Sequence, residues 1–137
     1  MEKHFTFTDD QFERLFENKT LEPDVFTHEA HIRLAWIHIT KYGPEQACDN
    51  VVTQLLAYVK MLGAEDKFNH TLTVASMKMI DHFMSKSSSV DFKGFIGEFP
   101  QLKTNFKGLV IQHYSFDIFN SAEARQGYLE PDLLPFD

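Results

Sequence analysis

One stretch near the N-terminus, PDVFTHEAHIRLAWIHITKYGP at residues 23–44, constrains the fold more than any other part of the chain. Thr27 is a typical helix N-cap, and Gly43-Pro44 cannot continue a helix, so the sequence predicts one helix that ends at Tyr42. With about 100° of rotation per residue, apolar side chains lie around most of its circumference. We therefore expect this segment to be the central helix of an all-α protein.

Further helices follow from caps and apolar spacing. The first begins after Thr8, the third begins at Pro44, and the fourth begins after Asn69. The third carries a predicted core stripe at Cys48, Val52, Leu55, Val59 and Leu62. DFKGFIGEFP, at residues 91–100, reads as a short amphipathic helix, and Asn120 or Ser121 caps a last helical turn.

The segment LVIQHYSFDIF, at residues 109–119, is ambiguous because its length suits either a helix or a buried strand. We favour a helix, since no other segment offers a strand partner. LEPDLLPFD then forms an extended tail, which its leucines and phenylalanine lay over the bundle. The prediction is a single-domain bundle of five or six helices over residues 1–137, with an extended C-terminal tail.

Composition limits the function classes. A length of 137 residues suits one domain, and fourteen phenylalanines predict an aromatic core. The net charge of -7, with no cluster of Lys and Arg, argues against nucleic acid or an anionic membrane as a partner. No apolar run approaches the roughly 20 residues of a membrane helix, and no apolar signal segment opens the chain. We expect a cytoplasmic monomer or homodimer, and the single cysteine excludes an internal disulfide.

Three histidines are the candidates for chemistry. His28 and His31 stand at i, i+3 on one helical stripe, a spacing that lets two imidazoles reach one metal ion. His70 is the best third ligand, because it also opens a helix. Three neutral imidazoles and a water would form an open site for zinc, iron or nickel. The alternative is that these histidines cap helices or lie partly buried in the core without a metal.

The other charged and polar side chains are expected to be less important. On the same projection Glu29 and Arg33 point away from the histidine stripe and form an i, i+4 ion pair. His38 lies about two turns beyond His31, near 10 Å along the axis, and is expected in the core or a cavity. His4 and His82 are predicted to face solvent.

Three stretches together carry a resemblance: FTHEAHIRLAW, KFNHTLT and HYSFDIFNSAEARQGYLEPDLLPF. They resemble a family of small bacterial proteins with the patterns FxHxxHLxxAW, YHxTxT and YSxxxLxSxxAR followed by PDLxP. No activity is established for that family. The resemblance implies that His28, His31 and His70 are its three histidines, with Thr71 and Thr73 close to the third. The motif positions in the tail are Tyr114, Ser115, Ser121, Arg125, Pro131 and Asp132.

The sequence thus predicts a pocket lined by His28, His31 and His70 that binds a divalent metal and a small ligand. Predicted ligand-binding residues are His38, Thr73, Tyr114, Ser115 and Arg125. An ion pair between Arg125 and Asp132 would pin the tail. Whether the protein is an enzyme stays open; metal-assisted hydrolysis, or a lyase or isomerase step, would suit such a site. The rival function is a non-catalytic module that binds a ligand or another protein, with structural histidines.

Overall fold

The computed structural model describes residues 1–136 and is all-α, as predicted. Within these residues there are eight α-helices, two short 3₁₀ turns and no strand. The helices are α1 Asp9–Glu17, α2 His28–Tyr42, α3 Pro44–Met61, α4 His70–Ser85, α5 Phe92–Glu98, α6 Gln101–Thr104, α7 Phe106–Ile111 and α8 Ala122–Gln126. The 3₁₀ turns are Lys3–Thr6 and Glu65–Lys67. None of the helices that the structure describes is long and apolar enough to cross a membrane.

Two compact units divide the chain, and each has its own buried apolar residues. The first is Met1–Phe68 and is built around the hairpin of α2 and α3, with α1 packed against both. The second begins at Asn69, and there α8 packs on α4. That these units form a single domain stays a prediction.

The helix starts follow their caps. Thr8 and Gln11 form the reciprocal capping box that opens α1, and Thr27 Oγ accepts the Ala30 N–H at 3.2 Å to open α2. Gly43 lies at φ 83°, a left-handed conformation that ends α2 and lets Pro44 begin α3. The predicted boundaries of α2 are therefore confirmed.

The predicted core stripe of α3 is wrong. The helix buries Ala47, Val51 and Tyr58, whereas the predicted positions are half-buried and Leu62 is exposed. Apolar residues cover more than one face of this helix. The spacing of its apolar residues is therefore compatible with two alternative buried faces, offset by one residue. Tyr58 decides between them, because its hydroxyl donates to the Leu21 carbonyl at 2.8 Å inside the core.

The predicted helix over residues 109–119 is mostly wrong as well. Helix α7 ends at Ile111, and the chain then continues in turns and bends. The Asp117 carboxylate accepts the backbone N–H groups of Phe119 and Asn120 at 2.8 and 3.3 Å. These local bonds give the backbone an alternative to the helix.

In the second unit, the start of α4 is tied to residues beyond α8. Thr71 is fully buried, and its hydroxyl donates to the Gly127 carbonyl at 2.7 Å and accepts the Leu129 N–H at 3.0 Å. The C-terminal segment is extended as predicted, but its apolar residues differ in exposure. Phe136 is buried, whereas Leu133 and Leu134 are exposed.

Candidate functional site

His28 and His31 occupy the first turn of α2, where the Thr27 cap places them one turn apart. Both side chains are exposed to solvent. His31 stacks on Phe26 with ring centroids 3.7 Å apart and an angle of 19° between the planes, so the ring has a defined orientation. Within residues 1–136 no hydrogen bond engages its ring nitrogens.

The electrostatics of this turn favour neutral imidazoles. The protein around His31 displaces enough water to lower its pKa to about 4, and the neighbouring His28 lowers it further. The ring packs against Phe26 while part of the side chain stays exposed, so the protein displaces water from the imidazole without enclosing it. A lowered pKa leaves His31 neutral at pH 7, with a ring nitrogen able to accept a hydrogen bond or to bind a metal ion.

His70, the third predicted metal ligand, is the first residue of α4 and belongs to the second unit. Its helix start is held by Asn69, which accepts the Leu72 N–H at 2.9 Å and donates to the Ile118 carbonyl at 2.8 Å. The structure thus brings His28 and His31 together on one turn. The participation of His70 stays a prediction.

Four of the five predicted ligand-binding residues use their polar groups inside the protein or are inaccessible. Thr73 donates to the Asn69 carbonyl at 2.8 Å, and Tyr114 donates to the Leu129 carbonyl at 2.8 Å. Burial raises the pKa of Tyr114. Ser115 donates its hydroxyl and its N–H to Asp132. His38 is only 1% exposed.

Arg125, the fifth, is exposed on α8. Its predicted ion pair with Asp132 is wrong, since Ser115 holds that carboxylate and Arg125 makes no ion pair with any residue between 1 and 136. Asp132 does pin the tail, but through hydroxyl and amide donors. Arg125 therefore keeps its guanidinium accessible.

A polar cluster on the other side of α2 is not among the predicted sites. His4, expected to face solvent, is 0% exposed, and its Nε2 lies 2.6 Å from Oε2 of Glu29 and 3.7 Å from Oε1 of Glu2. Glu2 also accepts a hydrogen bond from Thr27, the cap of α2. The N-terminal 3₁₀ turn is thereby fastened to the helix turn that carries His28 and His31.

Arg33 completes this cluster. Glu29 and Arg33 lie on the side of α2 away from the histidine stripe, and each residue is only 5% exposed. The guanidinium of Arg33 donates to the carbonyls of His4 at 2.5 Å and Phe7 at 2.9 Å, and to Asp9 at 2.9 Å. The N-terminal segment covers this face, and no local periodicity indicates that a terminal segment folds back onto a helix.

The three ligand-type atoms of Glu2, His4 and Glu29 lie within 4.8 Å of one another, a spacing that could suit a metal ion. However, Nη1 of Arg33 is 3.3 Å from Nδ1 of His4. A histidine that binds a metal through Nε2 carries its proton on Nδ1 and needs an acceptor there. Arg33 offers only donors, so it favours the tautomer in which Nε2–H donates to Glu29. We interpret the cluster as a buried hydrogen-bond network that holds the N-terminal 3₁₀ turn against α2.

Comparisons with protein-family models, with curated proteins and with solved structures gave no significant match to this chain.

Proposed function

We propose that this protein binds a first-row divalent metal ion, zinc, iron or nickel, through the imidazoles of His28 and His31. The observation that supports this most is the state of His31, whose lowered pKa of about 4 keeps it neutral at pH 7 while its ring remains exposed. Neutral, accessible imidazole is the form that ligates such metals. His28 stands at i, i+3, close enough to influence that pKa.

The position of the pair at the start of α2 suggests what completes the site. The N-terminus of a helix carries partial positive charge, which opposes a bare cation but favours an anionic ligand beside it. The bound metal would therefore prefer to take a hydroxide or the carboxylate or phosphate of a small molecule in its open position. A metal ion held by two imidazoles keeps open positions at which a water molecule can be bound and activated.

A catalytic role follows from this proposal only if a water or substrate molecule occupies the coordination position of the metal ion that the histidines leave open. A metal-bound water suits hydrolysis, and a metal-polarised carbonyl suits a lyase or isomerase step.

The test is a calorimetric titration of untagged, chelator-treated protein with zinc, nickel and iron(II). We expect one site, and His28→Ala or His31→Ala should each lower the affinity at least about tenfold. His82→Ala is the matched control, since His82 lies in the last turn of α4, is not among the proposed ligands and should not matter. No saturable binding to the wild-type protein, or an equal loss with His82→Ala, would reject the metal proposal.

His70→Ala tests the third ligand separately. A loss comparable to that of His28→Ala would support three histidines. An unchanged affinity would remove His70 from the ligand set and leave the pair on α2 in place.

A second candidate function, a module that binds another protein or a second copy of itself, is favoured by four exposed apolar side chains of the second unit. These are Ile111, Phe116, Leu133 and Leu134, which are 42 to 56% exposed. The Leu133 N–H donates to the His113 carbonyl at 3.0 Å, which holds the tail beside the segment after α7. Size-exclusion chromatography with light scattering tests this function. A dimer that Leu133→Ser with Leu134→Ser dissociates would support it, and a monomer at high concentration would count against self-association.

A further inference from the structure

A row of amide side chains runs along α3 where this helix faces His38 of α2. Gln46, Asn50 and Gln54 stand at i, i+4 and i+8, which places them on one face of the helix. Nδ2 of Asn50 lies 3.4 Å from Nδ1 of His38, so this face meets the buried imidazole. The row is separate from the His28 and His31 pair, because His38 lies about two turns beyond His31.

The hydrogen bonds in this row determine the tautomer of His38. Nε2 of Gln46 donates to Oδ1 of Asn50 at 2.7 Å, so Asn50 turns its NH₂ group toward the imidazole. Nδ1 of His38 then acts as the acceptor, and the proton of the neutral ring lies on Nε2. Burial also lowers the pKa of His38, which keeps the ring neutral.

On α2 and α3, two buried polar atoms then have no hydrogen-bond partner among residues 1–136: Nε2 of His38 and Oε1 of Gln54. His38 is 1% exposed, so bulk water does not reach its N–H group. One atom is a donor and the other an acceptor. Buried polar groups of this kind are nearly always hydrogen-bonded in folded proteins, to protein or to ordered water.

From the general direction of helical side chains, we infer that these two atoms point toward each other. Helical side chains lean toward the N-terminus of their own helix. Helices α2 and α3 are joined at Gly43 and run antiparallel, so His38 leans toward the level of Gln54, and Gln54 leans back toward the level of His38.

We propose that one ordered water molecule binds between α2 and α3, accepting a hydrogen bond from Nε2 of His38 and donating one to Oε1 of Gln54. The water completes a chain of donors and acceptors from Gln46 through Asn50 and His38 to Gln54. A neutral donor facing a neutral acceptor suits water, which offers both functions, and does not suit a metal ion, which needs lone pairs from every ligand.

NMR of the wild-type protein with labelled histidine tests the proposal directly. The ring nitrogen shifts of His38 should report the Nε2–H tautomer. Magnetisation transfer between the ring and a long-lived water should be observed. An Nδ1–H tautomer, or the absence of any long-lived water near the ring, would overturn the proposal even if every variant fails to fold.

A double-mutant cycle adds a second readout. Gln54→Leu alone removes the acceptor of the water that is bound to the His38 N–H, so it should lower the melting temperature. The same replacement made in a His38→Phe background should cost clearly less, because the donor is already gone. Thr53→Leu, at an exposed neighbouring position on α3, is the matched control and should change little. Equal effects of Gln54→Leu in both backgrounds would contradict a shared water.

Discussion

Nε2 of His4 lies 2.6 Å from Oε2 of Glu29, a residue 25 positions further along the chain. The side chain of His4 is 0% exposed and that of Glu29 is 6% exposed. This contact fastens the N-terminal turn to the helix that carries the candidate metal ligands. Because a buried carboxylate without its partner is costly, the contact should matter for stability.

His4→Ala should lower the free energy of unfolding by about 3 kcal/mol, because it leaves the carboxylate of Glu29 buried without this donor. Glu29→Gln should cost clearly less, since the amide oxygen can still accept from His4. Urea denaturation of both variants checks the comparison. If His4→Ala falls within about 0.5 kcal/mol of wild type, the range of ordinary surface substitutions, the cluster does not stabilise the fold as argued.

Arg33→Lys should lower stability by about 2 kcal/mol although it keeps the charge. A lysine cannot reproduce the planar fork that reaches the carbonyls of His4 and Phe7 together with Asp9. Arg14→Lys, at an exposed position of α1, is the matched control and should stay within about 0.5 kcal/mol of wild type. Equal midpoints and slopes for the two variants in urea would show that the charge alone suffices.

The titration of His31 should depend on His28. His28→Ala should raise the pKa of His31 from about 4, but not to its ordinary value of 6.5, because the displacement of water by the surrounding protein is the larger cause and remains. Proton NMR of the imidazole resonances measures the change. The control His82→Ala should leave this titration as it is, and a titration insensitive to His28→Ala would contradict the proximity of the two rings.

The lowered pKa of His31 also determines whether the protein becomes more or less stable as the pH falls. Between pH 6.5 and 4 the unfolded chain binds more protons at His31 than the folded protein does. The contribution of His31 therefore makes the protein less stable as the pH falls through that window, and it levels off below. Replacing His31 with Gln should flatten this part of the stability profile, measured by thermal denaturation at a series of pH values.

Ser115→Ala should loosen the C-terminal tail. The Ser115 hydroxyl, together with its N–H, holds the pKa of Asp132 below the ordinary 3.8, so the variant should raise that pKa part of the way back. In the wild type, the contact is complete above pH 3.8 and is lost as the pH falls through the lowered value. Carboxyl NMR titration and limited proteolysis of residues 129–136 check it. Ser85→Ala, which removes only a local bond, should leave the tail intact.

The sequence predicted those parts of the fold that depend on near neighbours. The capping box at Thr8, the Thr27 cap and the Gly43-Pro44 stop are local signals, and each helix boundary that rests on them is confirmed. The Thr27 cap also correctly predicted the helical turn that carries both His28 and His31.

The parts that were missed depend on contacts between distant segments. Helical periodicity correctly indicated that Glu29 and Arg33 point away from the histidine stripe, but it could not indicate that residues 2–9 cover that side. Likewise, the choice of the buried face of α3 depends on the bond from Tyr58 to Leu21, 37 positions away.

Thr71 sets a condition on how the second unit reaches its native state. Its hydroxyl joins backbone groups 56 and 58 positions along the chain, so those bonds form only after a loop of nearly the whole unit has closed. Closing a long loop lowers the entropy of the chain before the stabilising contacts have formed, and chains rich in such long-range contacts fold slowly. Truncation before Gly127 would leave the Thr71 hydroxyl without either native partner, so we expect the start of α4 to be ordered late in folding, after the C-terminal segment has docked.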